Sequence, residues 1–124
     1  MVNLDYLCTK TGQEIGETGD KAILQKALGV LREDGVYAMF LWLEKEDNEI
    51  RKKLNNLLNN EEIKKYLFQN SKRFPDDFKG FCETLNEVAK DIDGLFFLKK
   101  ILERSLTYAL YHAKIKDEKN VEEV

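Results

Sequence analysis

Residues 26–45 read KALGVLREDGVYAMFLWLEK and form the most apolar stretch of the chain. Apolar residues recur there every three or four positions, which is the period of an amphipathic helix. The Asp34-Gly35 dipeptide interrupts this pattern, and Asp-Gly predicts a turn. We therefore expect one helix over residues 21–33 and a second from Val36 to about Lys45.

The second of these helices is apolar on most of its circumference. A helix of this kind lies in the core, faces a partner, or does both. Its core face is predicted to contain Val36, Met39, Phe40 and Leu43, and its second apolar surface Tyr37, Leu41 and Trp42. At helical spacing such aromatic residues are more often core or protein-interface anchors than stacking platforms. Tyr37 and Trp42 are therefore the candidate residues of a partner interface.

Helical spacing extends over the rest of the chain. A first helix is expected over residues 3–17, weakened in its second half by Gly12, Gly16 and Gly19, and Thr18 or Asp20 is the expected cap of the helix over 21–33. Three further helices are expected: one after an Asp47-Asn48 cap, a short one around Ile63 to Leu67, and one that starts at Pro75 and carries apolar residues as far as Ala89. The segment 69–74 is the best loop candidate. A last helix of roughly five turns follows a break near Gly94, and its tail, residues 117–124, is expected to fray. The predicted fold is an all-α, single-domain bundle of about six to seven helices with a long C-terminal helix.

Composition limits the classes of protein to which the chain can belong. Its 124 residues suit one domain, and its 35% charged and 43% hydrophobic residues are typical of a globular protein. No apolar run could span a bilayer, and residues 1–7 lack the features of a signal peptide, so we expect a cytosolic protein. Cys8 and Cys82 lack paired spacing and are interpreted as small apolar residues. The net charge of −3 argues against nucleic-acid binding by bulk charge alone.

Motifs of known catalytic chemistry are missing from the sequence. It contains no phosphate-binding glycine loop, no GxSxG, no HExxH and no CxxC. The lone His112 implies no metal site, and we expect no metal and no cofactor. Carboxylate pairs fall at predicted helix ends, where capping explains them. An enzyme would need two or more of a set of carboxylates to face inward: Glu83, Glu87, Asp91 and Asp93.

Basic residues recur in pairs opposite the apolar stripes. Their usual role is a solvated helix face mixed with acids. If the bundle aligned several of them, they would form a phosphate-contacting stripe despite the negative net charge. The candidate RNA-binding residues are Arg51, Lys52, Lys53, Lys64, Lys65, Lys72, Arg73, Lys99, Lys100 and Arg104.

A family resemblance rests on the same stretch that predicts the fold. Leu28-Gly29-Val30-Leu31-Arg32, then Asp34-Gly35, then Val36, Ala38, Phe40 and Leu41 resemble the small helical subunit of the type III-B CRISPR effector, the Cmr RNA-targeting complex. The closing helix of that family is similar to Leu98, Leu102, Glu103, Leu106, Ala109, Leu110 and Lys114.

The resemblance implies a non-catalytic subunit of a ribonucleoprotein. Such a subunit packs beside the backbone subunits that hold the guide RNA, and it supports binding of the target RNA. Its partners would be the other subunits of a Cmr-type complex and, through a basic face, the guide and target RNA, with self-association of the chain left open. The alternative is a generic helical adaptor or oligomeric module without a nucleic-acid role, and a carboxylate enzyme is the third hypothesis.

Overall fold

Seven α-helices and no strand make up the part of the chain that the computed structural model describes, residues 3–68 and 72–122. The predicted all-α bundle with a long C-terminal helix is confirmed. In chain order the helices are α1 (Leu4–Thr18), α2 (Lys21–Asp34), α3 (Val36–Glu46), α4 (Asn48–Leu58), α5 (Glu61–Leu67), α6 (Phe78–Val88) and α7 (Ile92–Glu122).

Asp and Asn side chains start six of these helices. Each accepts a hydrogen bond from a backbone N–H of the first turn, which would otherwise lack a partner. The predicted cap of α2, left open between Thr18 and Asp20, is Asp20, whose Oδ1 lies 2.7 Å from the amide nitrogen of Ala22. The six capping residues are Asn3, Asp20, Asp47, Asn60, Asp77 and Asp91.

The turn between α2 and α3 consists of one residue, Gly35. Its φ of 100° lies in the left-handed region that favours glycine. Its N–H donates to the carbonyl oxygens of Val30 and Leu31, both at 3.2 Å, and so closes α2. Because α3 begins at the next residue, this glycine sets the angle between the two helices. The turn predicted at Asp34-Gly35 is confirmed.

The most extensive helix pair is α1 with α7, and small residues line it on both sides. Cys8, Gly12 and Gly16 are spaced four residues apart on α1, and all three are buried. Contacts advance along both helices in the same direction, from Cys8 beside Ile101 to Gly16 beside Ala109, so the pair is parallel. The facing residues of α7 are also spaced four apart and fully buried: Ser105, Ala109 and Ala113.

Gly12 and Gly16 do not weaken α1, contrary to the prediction from helix propensity. A Cβ at Gly12 would lie 2.6 Å from the Cβ of Tyr108, and one at Gly16 would lie 2.6 Å from the Cβ of His112. These distances are too short for non-bonded carbons. The two glycines therefore let the backbones approach closely, and the packing against α7 outweighs their low helix propensity.

The C-terminal helix is longer than predicted. It begins at Ile92, so Gly94 lies inside its first turn, and it continues through Glu122, about eight and a half turns. The frayed tail predicted from residue 117 is therefore not seen over residues 117–122, and residues 123–124 lie outside the described part. One physical reason is Lys116, whose Nζ donates to the carbonyl oxygens of Glu17 (3.3 Å) and Gly19 (3.2 Å) at the end of α1.

The segment before α6 is held by one asparagine. Asn59 donates to the Phe74 carbonyl at 2.9 Å and accepts from the Phe74 amide at 2.7 Å. The fully buried Phe74 ring packs between Phe68 and Phe81, with centroids 5.4 and 5.3 Å away. Residues 72–74 of the predicted loop are non-helical as expected, and residues 69–71 lie outside the described part.

Buried apolar side chains from every helix form one contiguous cluster. The predicted core face of α3, Val36, Met39, Phe40 and Leu43, is buried. Other fully buried members are Ile15, Leu24, Leu31, Leu54, Leu58, Ile63, Phe81, Leu98, Leu102 and Leu106. This cluster is compatible with the predicted single domain, which stays a prediction.

Replacing the interface glycines by alanine tests the close approach of α1 and α7. Gly12→Ala and Gly16→Ala should each lower the free energy of unfolding by about 1–3 kcal/mol, because the added methyl overpacks the helix pair. Gly29→Ala is the matched control, since Gly29 is helical and its Cβ would meet nothing within 4 Å. It should raise the free energy of unfolding by up to about 1 kcal/mol. Urea denaturation measures the free energy of unfolding of all three variants. Equal stabilisation of the protein by all three substitutions would contradict the close packing of α1 against α7.

Candidate partner and nucleic-acid interface

The outward side of α3 exposes two large apolar residues one turn apart. Tyr37 is 40% exposed and Leu41 is 47% exposed. Trp42 is half-buried and packs against the core. Of the two predicted interface residues, Tyr37 thus lies on the surface, and Trp42 is only partly exposed to solvent. We call Tyr37 and Leu41 the outer α3 face.

Tyr37 also contacts α6. Its hydroxyl hydrogen-bonds with the Cys82 thiol, which raises the pKa of Tyr37. Desolvation raises the pKa of Cys82, and the same hydrogen bond opposes that rise. Tyr37 thus lies beside α6, while part of its surface stays in water where a partner can cover it.

Arg51 is not an RNA-facing residue, and the prediction that it lies on the polar side of α4 is wrong. The residue is 2% exposed. Its Nε lies 2.8 Å from Glu44 Oε2 and one terminal nitrogen lies 3.0 Å from the Asp76 carbonyl oxygen. Its guanidinium carbon lies 5.5 and 5.6 Å from the ring centroids of Phe78 and Phe81. Arg51 therefore joins α3, α4 and α6 from within.

Three further candidate lysines pair with an acid three residues earlier on the same helix. Lys64 is also largely buried, with 9% of its surface exposed, so it offers little to an RNA phosphate. Lys52 and Lys65 remain about half exposed. The hydrogen bond from Lys65 to Glu62 raises the pKa of the lysine. The pairs are Lys52–Glu49 at 3.5 Å, Lys64–Glu61 at 3.1 Å and Lys65–Glu62 at 2.7 Å.

Lys53 and Lys72 bind other parts of the fold. The ammonium of Lys53 donates to the Thr18 hydroxyl at 2.8 Å and to the Glu14 carbonyl at 3.3 Å. Lys72 pairs with Glu87 and lowers the pKa of that carboxyl. Lys53 lines a groove between α1 and α4, together with Lys10, Asn56 and Asn60, none of which was a candidate site residue.

The structure brings Lys100 and Arg104 together on one groove of α7. This groove has a volume of about 310 Å³ and is lined by Lys100, Glu103, Arg104, Thr107 and Tyr108. Arg104 bonds Asp5 Oδ1 at 3.1 Å, and the Tyr108 hydroxyl bonds the same oxygen at 3.0 Å, which raises the pKa of Tyr108. The groove was not predicted from the sequence, although residues 100, 104 and 107–108 are spaced along one helix face.

The remaining candidates do not join a common basic stripe. Arg73 is exposed in the segment before α6, and Lys99 is half-buried on α7. The ten candidates thus lie on α4, α5, the segment before α6, and α7. Acidic partners are placed beside most of them. The structure therefore supports mixed charge on this surface rather than one continuous basic face.

The four carboxylates on which an enzyme hypothesis depends all point to solvent. Glu83, Glu87, Asp91 and Asp93 are exposed, and Asp91 caps α7. A catalytic carboxylate with a shifted pKa requires burial or a specific charge partner, and among the described residues only Glu87 of these four has such a partner. Over residues 3–68 and 72–122, no three His, Cys, Asp or Glu side chains are placed to hold a metal ion.

Comparisons with protein-family models, curated proteins and solved structures find no match to this chain. None of the helices in the described residues has the length and apolar character needed to cross a lipid bilayer. The chemistry of the surface residues and the resemblance noted in the sequence are therefore the basis for a functional proposal.

Truncating Arg51 should destabilise the protein. Arg51→Ala leaves Glu44 without its partner and removes the bond to the Asp76 carbonyl, so we expect a loss of about 3–5 kcal/mol in the free energy of unfolding. Lys52→Ala, at the next position on the exposed face, should change it by less than about 0.5 kcal/mol. Chemical denaturation of both variants measures the contrast. If both variants lost less than about 0.5 kcal/mol in the free energy of unfolding, the buried position of Arg51 described above would be contradicted.

The two thiols should differ in reactivity. Burial raises the pKa of Cys8, whose Sγ lies 3.8 Å from the Ile101 carbonyl oxygen. In the native protein a thiol reagent should modify Cys82 alone, because Cys8 is 0% exposed. A raised pKa leaves less thiolate at a given pH, so Cys82 should react more slowly than a free cysteine and gain rate as pH rises. Mass spectrometry identifies the modified residue; native labelling of Cys8 at the rate of Cys82 would contradict this packing.

Proposed function

We propose that this chain is a non-catalytic subunit of a cytosolic Cmr-type ribonucleoprotein, and that it docks onto the other subunits through the outer α3 face. The observation that carries the proposal is the geometry of α3. The resembling helix–glycine–helix segment forms a one-residue turn, buries one face of α3 and leaves Tyr37 and Leu41 in water. The long closing helix, which also carries part of the resemblance, supports the same proposal.

The outer α3 face suits protein docking because its backbone is rigid. Met39, Phe40 and Leu43 are fully buried and fix α3 in the core. The exposed residues therefore occupy fixed positions before a partner arrives, which lowers the entropic cost of binding. Tyrosine is enriched among the residues that dominate binding energy in protein interfaces.

RNA contact is secondary in this proposal. The half-exposed ion pairs of Lys52 and Lys65 contribute little to stability, because surface pairs are worth less than about 1 kcal/mol. Such lysines can exchange their carboxylate for an RNA phosphate within an assembled complex. They would neutralise the backbone of RNA held mainly by other subunits, without reading its sequence.

A second candidate function is a helical adaptor with no nucleic-acid role. The observation that favours it is the mixing of acid and base on the surface: the seven ion pairs found in the described residues involve six of the ten candidate RNA-binding residues. An adaptor would use the same outer α3 face. The two functions differ in whether RNA accompanies the partner proteins.

Recovery of the tagged protein from its native host tests the proposal. The wild-type chain should bring down CRISPR backbone subunits, identified by mass spectrometry, together with guide RNA, identified by sequencing. Tyr37→Asp combined with Leu41→Asp should reduce this recovery at least about tenfold, since two anchor residues are lost. Tyr6→Asp is the control, because Tyr6 is 59% exposed on α1, away from α3.

The outcomes separate the two functions. Partner proteins recovered without RNA, and lost in the α3 variant, would favour the adaptor. Absence of CRISPR subunits from the wild-type recovery would overturn the Cmr proposal. Circular dichroism of each variant verifies that the helical bundle is intact.

A further inference from the structure

The groove on α7 remains without an occupant in the proposed function. It lies on the outward side of the helix, and two of its charged residues have intrachain partners. Arg104 pairs with Asp5, and Glu103 pairs with Arg32 at 2.8 Å. Both pairs are exposed. The groove therefore presents charges of both signs in a fixed order. A ligand that binds there must present the opposite charges in the matching order.

The same face of α7 continues beyond the groove for three turns. Tyr111 is 59% exposed and Ile115 is 53% exposed, and Glu118 is exposed one turn further. Arg104, Tyr111 and Glu118 are seven residues apart, which is the repeat that keeps a helix face against a partner helix. Thr107 and Ile115 lie between them on the same face. Tyr111, whose ring centroid lies 5.8 Å from Lys114 Nζ, and Ile115 thus lie between two charged ends.

We propose that the α7 groove binds the C-terminal turns of α7 from a second copy of this chain, in an antiparallel dimer with its two-fold axis at Tyr111. In an antiparallel pair centred on residue 111, residues whose numbers sum to 222 face each other. Arg104 then faces Glu118 of the partner copy, and Thr107 faces Ile115. Tyr111 meets its own copy at the axis.

Charge complementarity supports this occupant. The groove charges Arg104 and Glu103 face Glu118 and Lys119, so both positions join opposite charges, and each contact occurs twice by symmetry. Tyr108, which also lines the groove, faces Lys114, whose ammonium lies over Tyr111 of its own chain, so each lysine stands between two aromatic rings in the dimer. A parallel pair would instead place each charge against its own copy. Like charges facing one another are unfavourable, so the sequence of charges selects the antiparallel arrangement.

Formation of the dimer need not break the pairs inside each chain. The Arg104–Asp5 side chains are 48% and 44% exposed, and a guanidinium carries five N–H donors. Arg104 can therefore bond Asp5 of its own chain and Glu118 of the partner. Tyr111 and Ile115 would lose water contact in the dimer, which supplies the hydrophobic contribution to association.

The proposed dimer goes beyond the proposed function and does not depend on it, because it involves no RNA and no other protein. It uses α7, whereas docking uses the outer α3 face. Purified chain is sufficient for the test, so failure of the dimer and failure of the Cmr proposal are separate results.

A charge swap between two variants tests the antiparallel pairing. Sedimentation equilibrium should show dimers of the wild-type chain at concentrations up to about 1 mM. Arg104→Glu and Glu118→Arg should each be monomeric over the same range, because each places like charges together twice. A mixture of the two variants restores both pairs. The glutamate introduced at position 104 faces the arginine introduced at position 118, and the two native side chains face each other at the second contact. The mixture should therefore form a heterodimer over the concentration range in which the wild-type chain dimerises.

Controls separate association from folding. Residues 104 and 118 lie about 21 Å apart along one helix, so rescue in the mixture cannot arise within a chain. Lys26→Glu and Glu83→Arg change exposed charges on other helices and should leave the dimer unchanged. A wild-type chain that stays monomeric throughout, or a mixture that does not recover, would overturn the proposal, and such a groove would belong to another ligand.

Disulfide trapping tests the position of the axis independently. In a Cys82→Ser background, Tyr111→Cys should form a covalent dimer under mild oxidation, because the two copies of residue 111 meet. Glu118→Cys should not, since its copies would lie far apart in the antiparallel pair. Trapping at both positions would indicate a parallel pair, and absence of trapping at position 111 would contradict the proposed axis; either result overturns the proposal.

Discussion

The close parallel contact between α1 and α7 is the constraint on which the rest of the structure depends. Gly12 and Gly16 have no side chain, so α7 packs directly against the backbone of α1. That contact joins the first helix of the chain to the last. The helices between them must therefore pack around a pair that is already fixed, and their apolar faces are buried in one cluster.

Two surfaces follow from this arrangement. Gly35 turns the chain so that α3 buries one face and exposes Tyr37 and Leu41. The pairing with α1 buries one face of α7 and leaves Arg104, Tyr111 and Glu118 exposed. On the α7 face, Arg104 pairs with Asp5 and Glu103 pairs with Arg32. The described residues thus present two exposed faces, one on α3 and one on α7.

Local features of the fold could be predicted from the sequence, and non-local ones could not. Asp20 as a cap and Gly35 as a turn depend on neighbours within a few residues, so the ends of α2 and α3 were predicted to within one residue. Arg51 depends on Glu44 and two phenylalanines brought by another helix, and beside Lys52 and Lys53 it resembles a surface residue. Gly12 and Gly16 have low helix propensity, and only α7 explains their presence.

Native-state hydrogen exchange tests the central role of the α1–α7 pair most directly. If that pair is the foundation of the fold, the amides of residues 8–16 and 101–113 should exchange most slowly, and their exchange should require global unfolding. The amides of α5 and α6 should exchange through smaller openings of lower free energy. Exchange of α1 by a local opening, while α4 or α6 remained protected, would contradict this account.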